Sequence, residues 1–158
     1  MDMEAKKKAL RMIQYGLFVM TARHQENVGG GTVNWVSQAS FEPPLIMAGV
    51  KKGSGLLEII QGSGAFAVNI LSEGQKEIGG KFFKGAQMEN GKINGLAYED
   101  GKTGAPLLLD TPAFFECRVT DRIDRGDHTV IIGEVINAGI RKEEPALVMR
   151  DTGWFYGG

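Results

Sequence analysis

The chain has 158 residues, enough for one domain with its own core, and 18 basic against 19 acidic side chains leave a net charge of −1. That balance offers no basic face to nucleic acid, and the 42% hydrophobic content is that of a globular protein. No apolar stretch approaches the ~20 residues that span a bilayer, and no apolar leader with a cleavage site follows the charged Met1–Lys8, so a cytoplasmic protein with neither membrane nor nucleic-acid partner is expected.

Asp2 to Gln14 reads as a short amphipathic helix, capped by Asp2, with Ala5, Ala9, Met12 and Ile13 on one face. Leu17 to Ala22 is a strand, Arg23 to Gly31 a polar, Gly-rich turn, and Thr32 to Ser40 a second strand, broken by Pro43-Pro44. The apolar run Leu45 to Val50 is a buried strand. It stops at Lys51-Lys52-Gly53-Ser54-Gly55, and Leu56 to Ile60 begins a helix that gives way at Gly62-Ser63-Gly64. Ala65 to Leu71 is again a strand, and Ser72 opens a helix carrying Ile78, Phe82 and Phe83. Lys84 to Ala105 has little periodicity, and irregular stretches of that length serve function or move. The last third is strongly β: Ala113 to Ile123, a turn at Asp124-Arg125-Gly126-Asp127, then His128 to Ile140, with short edge elements at Ala146 to Met149 and Trp154 to Tyr156. The sum is a mainly β fold with short helices in one domain, residues 1–158, closing best as a small barrel or sandwich. The 23 glycines follow no period and point to tight turns, bulges or backbone held close to a ligand.

Several chemistries are poorly supplied. Gly62-Ser63-Gly64-Ala65-Phe66-Ala67 has the spacing of a dinucleotide fingerprint but precedes a strand instead of joining a strand to a helix. The single Cys117 sits in a strand and reads as a core residue, and with no C-x-x-C and only His24 and His128 as histidines, no metal site is expected. The carboxylates Glu143-Glu144 lie beside Pro145 in a turn and read as solvated.

An anion site is better supplied. A helix N-terminus offers free N–H groups, the glycines after Lys52 let a phosphate approach the backbone, and Lys51 and Lys52 bring counter-charge. The same residues also suit an ordinary strand-to-helix turn. Asn34, Ser37, Gln38 and Ser40 can hydrogen-bond a heterocycle and Trp35 offers an aromatic surface, although a half-exposed strand with one core aromatic would look the same. Gly126-Asp127-His128 has the composition of a hairpin turn.

Ala39-Ser40-Phe41-Glu42-Pro43-Pro44-Leu45, Lys51-Lys52-Gly53-Ser54, Ser63 to Leu71, Gly126-Asp127-His128 and Ile132-Gly133-Glu134-Val135 together resemble the flavin reductase-like family, over nearly the whole chain. The resemblance implies an FMN-binding split barrel, antiparallel, Greek-key and six-stranded, assembled as a homodimer with one FMN per subunit near the interface. FAD is the less favoured flavin. By carry-over, Thr32, Asn34, Trp35, Val36, Ser37, Gln38, Ala39 and Ser40 line the flavin ring and ribityl chain, and Val50, Lys51, Lys52 and Ser54 hold its phosphate end. His128 is the catalytic candidate and, with Asp127 and Tyr156, the place where the nicotinamide of NAD(P)H enters; Phe82, Phe83 and Trp154 pack over the ring or in the core.

The implied activity is electron transfer from NAD(P)H through bound flavin to a protein or small acceptor. Asn34-Trp35 and Ser37-Gln38 resemble the flavoredoxin branch and the flavin domain of rubredoxin-fused proteins, so a separate rubredoxin-like carrier is one acceptor. A reductase that releases reduced flavin to a monooxygenase or to ferric iron is the alternative, and a non-catalytic flavin-binding barrel is a third.

Overall fold

The apolar runs after residue 16 hydrogen-bond into one antiparallel sheet of seven strands in a computed structural model that describes residues 1–158. In chain order the elements are α1 (Met3–Arg11), β1 (Phe18–His24), β2 (Asn27–Val33), β3 (Val36–Ser40), β4 (Leu45–Lys51), α2 (Gly55–Ser63), β5 (Ala65–Ile70) and α3 (Lys76–Lys81). Four short strands follow, β6 (Met88–Glu89), β7 (Lys92–Ile93), β8 (Tyr98–Asp100) and β9 (Pro106–Leu108), before the long pair β10 (Ala113–Ile123) and β11 (His128–Ile140). The large sheet runs β2-β1-β5-β10-β11-β4-β3. No helix is long and apolar enough to cross a membrane.

The sheet's two edges, β2 and β3, are neighbours in the chain. Asn34-Trp35 carries the backbone from one edge to the other, and the Trp35 carbonyl accepts the Gly49 N–H at 2.8 Å instead of continuing the β1 ladder. The expected single strand Thr32–Ser40 is thus two pieces on opposite edges. Taken as one bent run, they complete six runs with β1, β4, β5, β10 and β11, closed on the open side by covalent continuity and not by hydrogen bonds. Most of the expected turn at Arg23–Gly31 is strand as well: His24 pairs with Asn27, and only Gln25, at φ 54°, enters the left-handed region.

Inside the barrel Met20, Ala48, Val50, Phe66, Val68, Cys117 and Ile131 pack with Leu56, Leu57 and Ile60 of α2, which plugs one end. Position 133 must be glycine, because a Cβ there would lie 2.8 Å from Phe66 and Cys117. Register shifts after Glu116 and Val119 kink the long β10–β11 ribbon so that it follows the barrel's curvature. A second cluster, including Leu17, Val19, Leu71, Phe82 and Leu108, lies against the other face of the sheet. Ala146 and Val148 make isolated bridges, to Ser72 and Gly16, whereas Trp154 to Tyr156 pair with nothing and are not the expected edge element.

The stretch Lys84–Ala105 is ordered by two devices. Asn90-Gly91, at φ 51° and 71°, turns the β6–β7 hairpin. Glu116, fully buried, clasps the next loop: one oxygen accepts from the Thr103 N–H (2.8 Å) and hydroxyl (2.7 Å), the other from the Lys102 N–H (3.0 Å) and Asn137 Nδ2 (2.6 Å). Burial alone raises this carboxyl's pKa, but the bonds from Asn137, Thr103 and Lys102 outweigh it and hold the group below the ordinary carboxylate value. Because the folded pKa is depressed, the clasp contributes stability above the unfolded carboxylate range and loses it as pH falls through the folded value. Glu116→Gln turns an acceptor into a donor that faces other donors; urea denaturation at neutral pH is expected to show a loss of about 2 kcal/mol, with a flatter acid limb than the parent. Burial also pushes the Cys117 thiol up to about 12, so thiol reagents are expected to label the chain only on unfolding.

Candidate functional site

One groove of about 1300 Å³ runs along β2, past the N-terminus of α2, to the start of β11. Its first wall is the glycine run Gly29-Gly30-Gly31. A Cβ at Gly29 or Gly31 would sit 3.1–3.2 Å from Leu56 or Ile59, and one at Gly30 would sit 2.9 Å from Ala86. Bare backbone here is what lets α2 and the Phe82–Ala86 turn close on the strand.

Ser54 caps α2: its hydroxyl accepts from the Leu57 N–H at 3.2 Å and donates to the Lys51 carbonyl at 2.8 Å. The Gly55 and Leu56 N–H groups have no hydrogen-bond partner and border the groove with Lys51. The donors for an anion are therefore two backbone amides and one ammonium, and Ser54 sets their position instead of donating. Lys52 is exposed and does not border the groove; its N–H is bonded to the Asp127 carbonyl at 3.0 Å.

At the other end, β4–β11 pairing sets His128 directly opposite Lys51. Asp127 Oδ1 lies 2.8 Å from His128 Nδ1 and the Tyr156 hydroxyl 2.7 Å from Nε2. A carboxylate only accepts, so Nδ1 carries the hydrogen and, in the neutral ring, Nε2 accepts from Tyr156. The hydrogen bond and charge of His128, with Lys51 nearby, hold Asp127 below its usual value, while burial and the Asp127 charge raise Tyr156. Trp35 backs this pair, its ring centre 4.5 Å from His128 and 5.3 Å from Tyr156.

The residues singled out in the sequence divide into two sets. Thr32, Asn34, Val50, Lys51, Ser54, Phe82, Phe83, His128, Trp154 and Tyr156 line the groove. Phe82 does so as a buried core residue beneath Gly30, whereas Phe83 is 59% exposed and meets Trp154 edge-on at 4.7 Å. Trp35, Val36, Ser37, Gln38, Ala39, Ser40, Lys52 and Asp127 do not line it within one chain. Ser37, Gln38 and Ala39 stand exposed on the edge strand β3, where the Gln38 amide reaches only the Ser40 carbonyl at 3.4 Å. The glycine wall of β2 escaped residue-type reasoning because its contribution is backbone. Its one signal was the abundance of glycine, whereas the Gly55 and Leu56 amides are the free N–H groups that the pattern beginning at Lys51 indicates.

The family model for the flavin reductase like domain matches residues 10–157. The chain belongs to the flavin reductase-like family. The reductase component of 4-hydroxyphenylacetate 3-monooxygenase from Thermus thermophilus is 33% identical, over 96% of this chain and 94% of that protein. The structure of the flavin reductase PheA2 superposes with a TM-score of 0.82 at 31% identity, covering 100% of this chain and 99% of that one. Diflavin flavoprotein A 1 of Synechocystis is 33% identical over 95% of this chain, which spans only 27% of that protein's length. The chain likewise spans 42% of a probable flavin reductase of Rhizobium meliloti.

The family implies a flavin, and the residues of the groove fit one. Asn34, 5% exposed, has a buried Nδ2 with no partner on the groove wall, a donor waiting for a carbonyl. The glycine strand gives a planar ring close access to backbone, and the α2 terminus with Lys51 suits a phosphate. Lys51→Ala is expected to weaken FMN binding roughly tenfold, the loss of one charge-assisted contact, with Lys52→Ala close to the parent; fluorescence titration of FMN compares them. Ser54→Ala should lower stability by about 1 kcal/mol through the lost cap and weaken FMN binding indirectly.

Proposed function

We propose that this chain is an NAD(P)H-dependent flavin oxidoreductase that holds FMN along the groove and works in the cytoplasm. The observation that carries the reading is the continuity of one cleft from an anion cradle at α2 to His128, whose ring Asp127 holds from outside the cleft. When bound, the flavin supplies the hydride acceptance and the onward electron transfer that no side chain here can perform. Asn34 orients the ring system, Lys51 with the Gly55 and Leu56 amides anchors the phosphate, and Asp127 fixes the His128 ring so that it can position a nicotinamide amide at near-attack distance. FMN is preferred to FAD on the family resemblance, since the cradle of Lys51 and the α2 amides suits the phosphate of either flavin.

The protein works as a homodimer in this reading. The unpaired edge of β3, with Ser37 to Ala39 exposed and Phe41 89% exposed at its end, is the face that supports it. Pairing of that face would bring Val36 to Ser40 toward a flavin from the neighbouring copy, which accounts for their absence from the groove of their own chain. The acceptor is a redox protein such as a rubredoxin-like carrier, or a small molecule. A second reading, a reductase that releases reduced flavin to an oxygenase, is favoured by the near end-to-end match to the Thermus reductase component.

The absorbance of the desalted protein before and after anaerobic NADH tests the reading. Bands near ~450 nm that persist and then bleach are expected; NADH oxidation only when free flavin is added would establish the second reading, and no flavin-dependent oxidation at all would overturn both. His128→Ala should slow reduction by roughly 10- to 100-fold with FMN retained. Phe41→Glu is expected to shift the sedimenting species from dimer toward monomer.

A further inference from the structure

Residues 153–158 cross the His128 end of the groove as a strap. No backbone–backbone hydrogen bond ties this segment to the sheet. It is held through side chains. Trp154 anchors its start, edge-on to Phe83 at 4.7 Å, under Lys76 at 4.8 Å and with its backbone N–H on the Thr152 hydroxyl at 3.0 Å. Beyond it lie the Tyr156 hydroxyl at 2.7 Å from His128 Nε2, Gly157 against the Trp35 ring, and Arg11 of α1, which donates to the Gly157 carbonyl at 3.3 Å and lies 5.0 Å over Phe155. Glycines in the left-handed region flank its three aromatic residues, Gly153 at φ 74° before them and Gly157 at φ 86° and Gly158 at φ 100° after them. Trp154, Phe155 and Tyr156 line the groove on one side and a separate hollow of about 70 Å³ on the other, between the strap and Arg11 to Tyr15. The strap is a thin wall with space behind it.

Tyr156 thus takes up the outward hydrogen-bonding position of His128. Asp127 occupies Nδ1, so Nε2 is the ring's one remaining polar atom, and the phenol holds it. We propose that the strap 153–158 is a gate in which Tyr156 holds the place of the nicotinamide, so that dinucleotide binding must lift Tyr156 off His128 and Trp35. This rests on the nicotinamide reading given above, and it makes Tyr156 a competitor of the dinucleotide where the family resemblance made it a contact. Its energetic consequence is a reduced apparent affinity: a strap closed ten to one lowers nucleotide affinity by about tenfold, and loosening it returns that factor.

Two independent variants weaken closure. Tyr156→Phe removes the bond to Nε2 at a residue already 44% exposed. Gly157→Ala adds a Cβ that would lie 2.8 Å from Trp35 at a positive φ. With the full chain saturated with FMN, isothermal titration with NAD+, and in parallel NADP+, is expected to show both variants binding about tenfold tighter than the parent. In the parent, the nucleotide is expected to speed chymotryptic cleavage after Phe155 and Tyr156. Weaker binding by the variants, or protection from cleavage by nucleotide, would make Tyr156 a ligand contact and overturn the gate. Equal affinity in parent and variants with unchanged cleavage overturns the gate too and leaves the nicotinamide reading standing. No binding of either nucleotide to any of the three proteins overturns that reading itself, and the gate with it.

Discussion

The close approach of α2 to β2 is the contact on which the rest of this molecule depends. Leu56, Leu57 and Ile60 fill the barrel end, and the bare backbone of Gly29 and Gly31 receives the helix at Leu56 and Ile59, while Gly30 faces the Phe82–Ala86 turn. A side chain at Gly29 or Gly31 would press on α2 and shift the Gly55 and Leu56 amides with it, and one at Gly30 would press on the Phe82–Ala86 turn. Stability and ligand binding thus share one geometric condition. The Ser54 cap serves both: it terminates the helix cleanly and leaves two donors unspent at the edge of the groove.

The two ends of the groove divide the electrostatic work. At α2 the protein offers positive character that is mostly backbone, fixed in direction and costing no side-chain entropy. At β11 it offers a titratable ring whose orientation is dictated from behind by Asp127 and whose surroundings are aromatic. The cross-strand pairing of Lys51 with His128 couples these ends through a single rung of the sheet. An anion held at one end therefore acts electrostatically on the group at the other.

Much of this was legible in the sequence. The long strands Ala113–Ile123 and His128–Ile140, with the turn between them, have the bounds that their apolar alternation and turn residues indicate. Helix α2 starts where Ser54 says it should. What was not legible has a common cause. Three glycines look like a turn because glycine has no side chain to declare a strand, yet they are strand residues packed closely, Gly29 and Gly31 against α2 and Gly30 against the Phe82–Ala86 turn. Asn34-Trp35 breaks its strand through a long-range bond to Gly49, which no local pattern records. Likewise the polar face of Val36–Ser40 could be read, but not toward which neighbour it points.

The bent run from β2 to β3 also bears on how the chain reaches this state. Joining opposite edges of the sheet through two residues means that the barrel closes only when the strands between them are laid down. The β1–β2, β3–β4 and β10–β11 ladders are local hairpins, whereas β1 with β5, β5 with β10 and β4 with β11 join segments far apart in the sequence. High contact order of this kind places folding in the range of milliseconds to seconds, roughly, and not microseconds. Closure of the barrel then waits on the long-range ladders that bring the hairpins together, and the groove between β2, α2 and β11 takes shape with it.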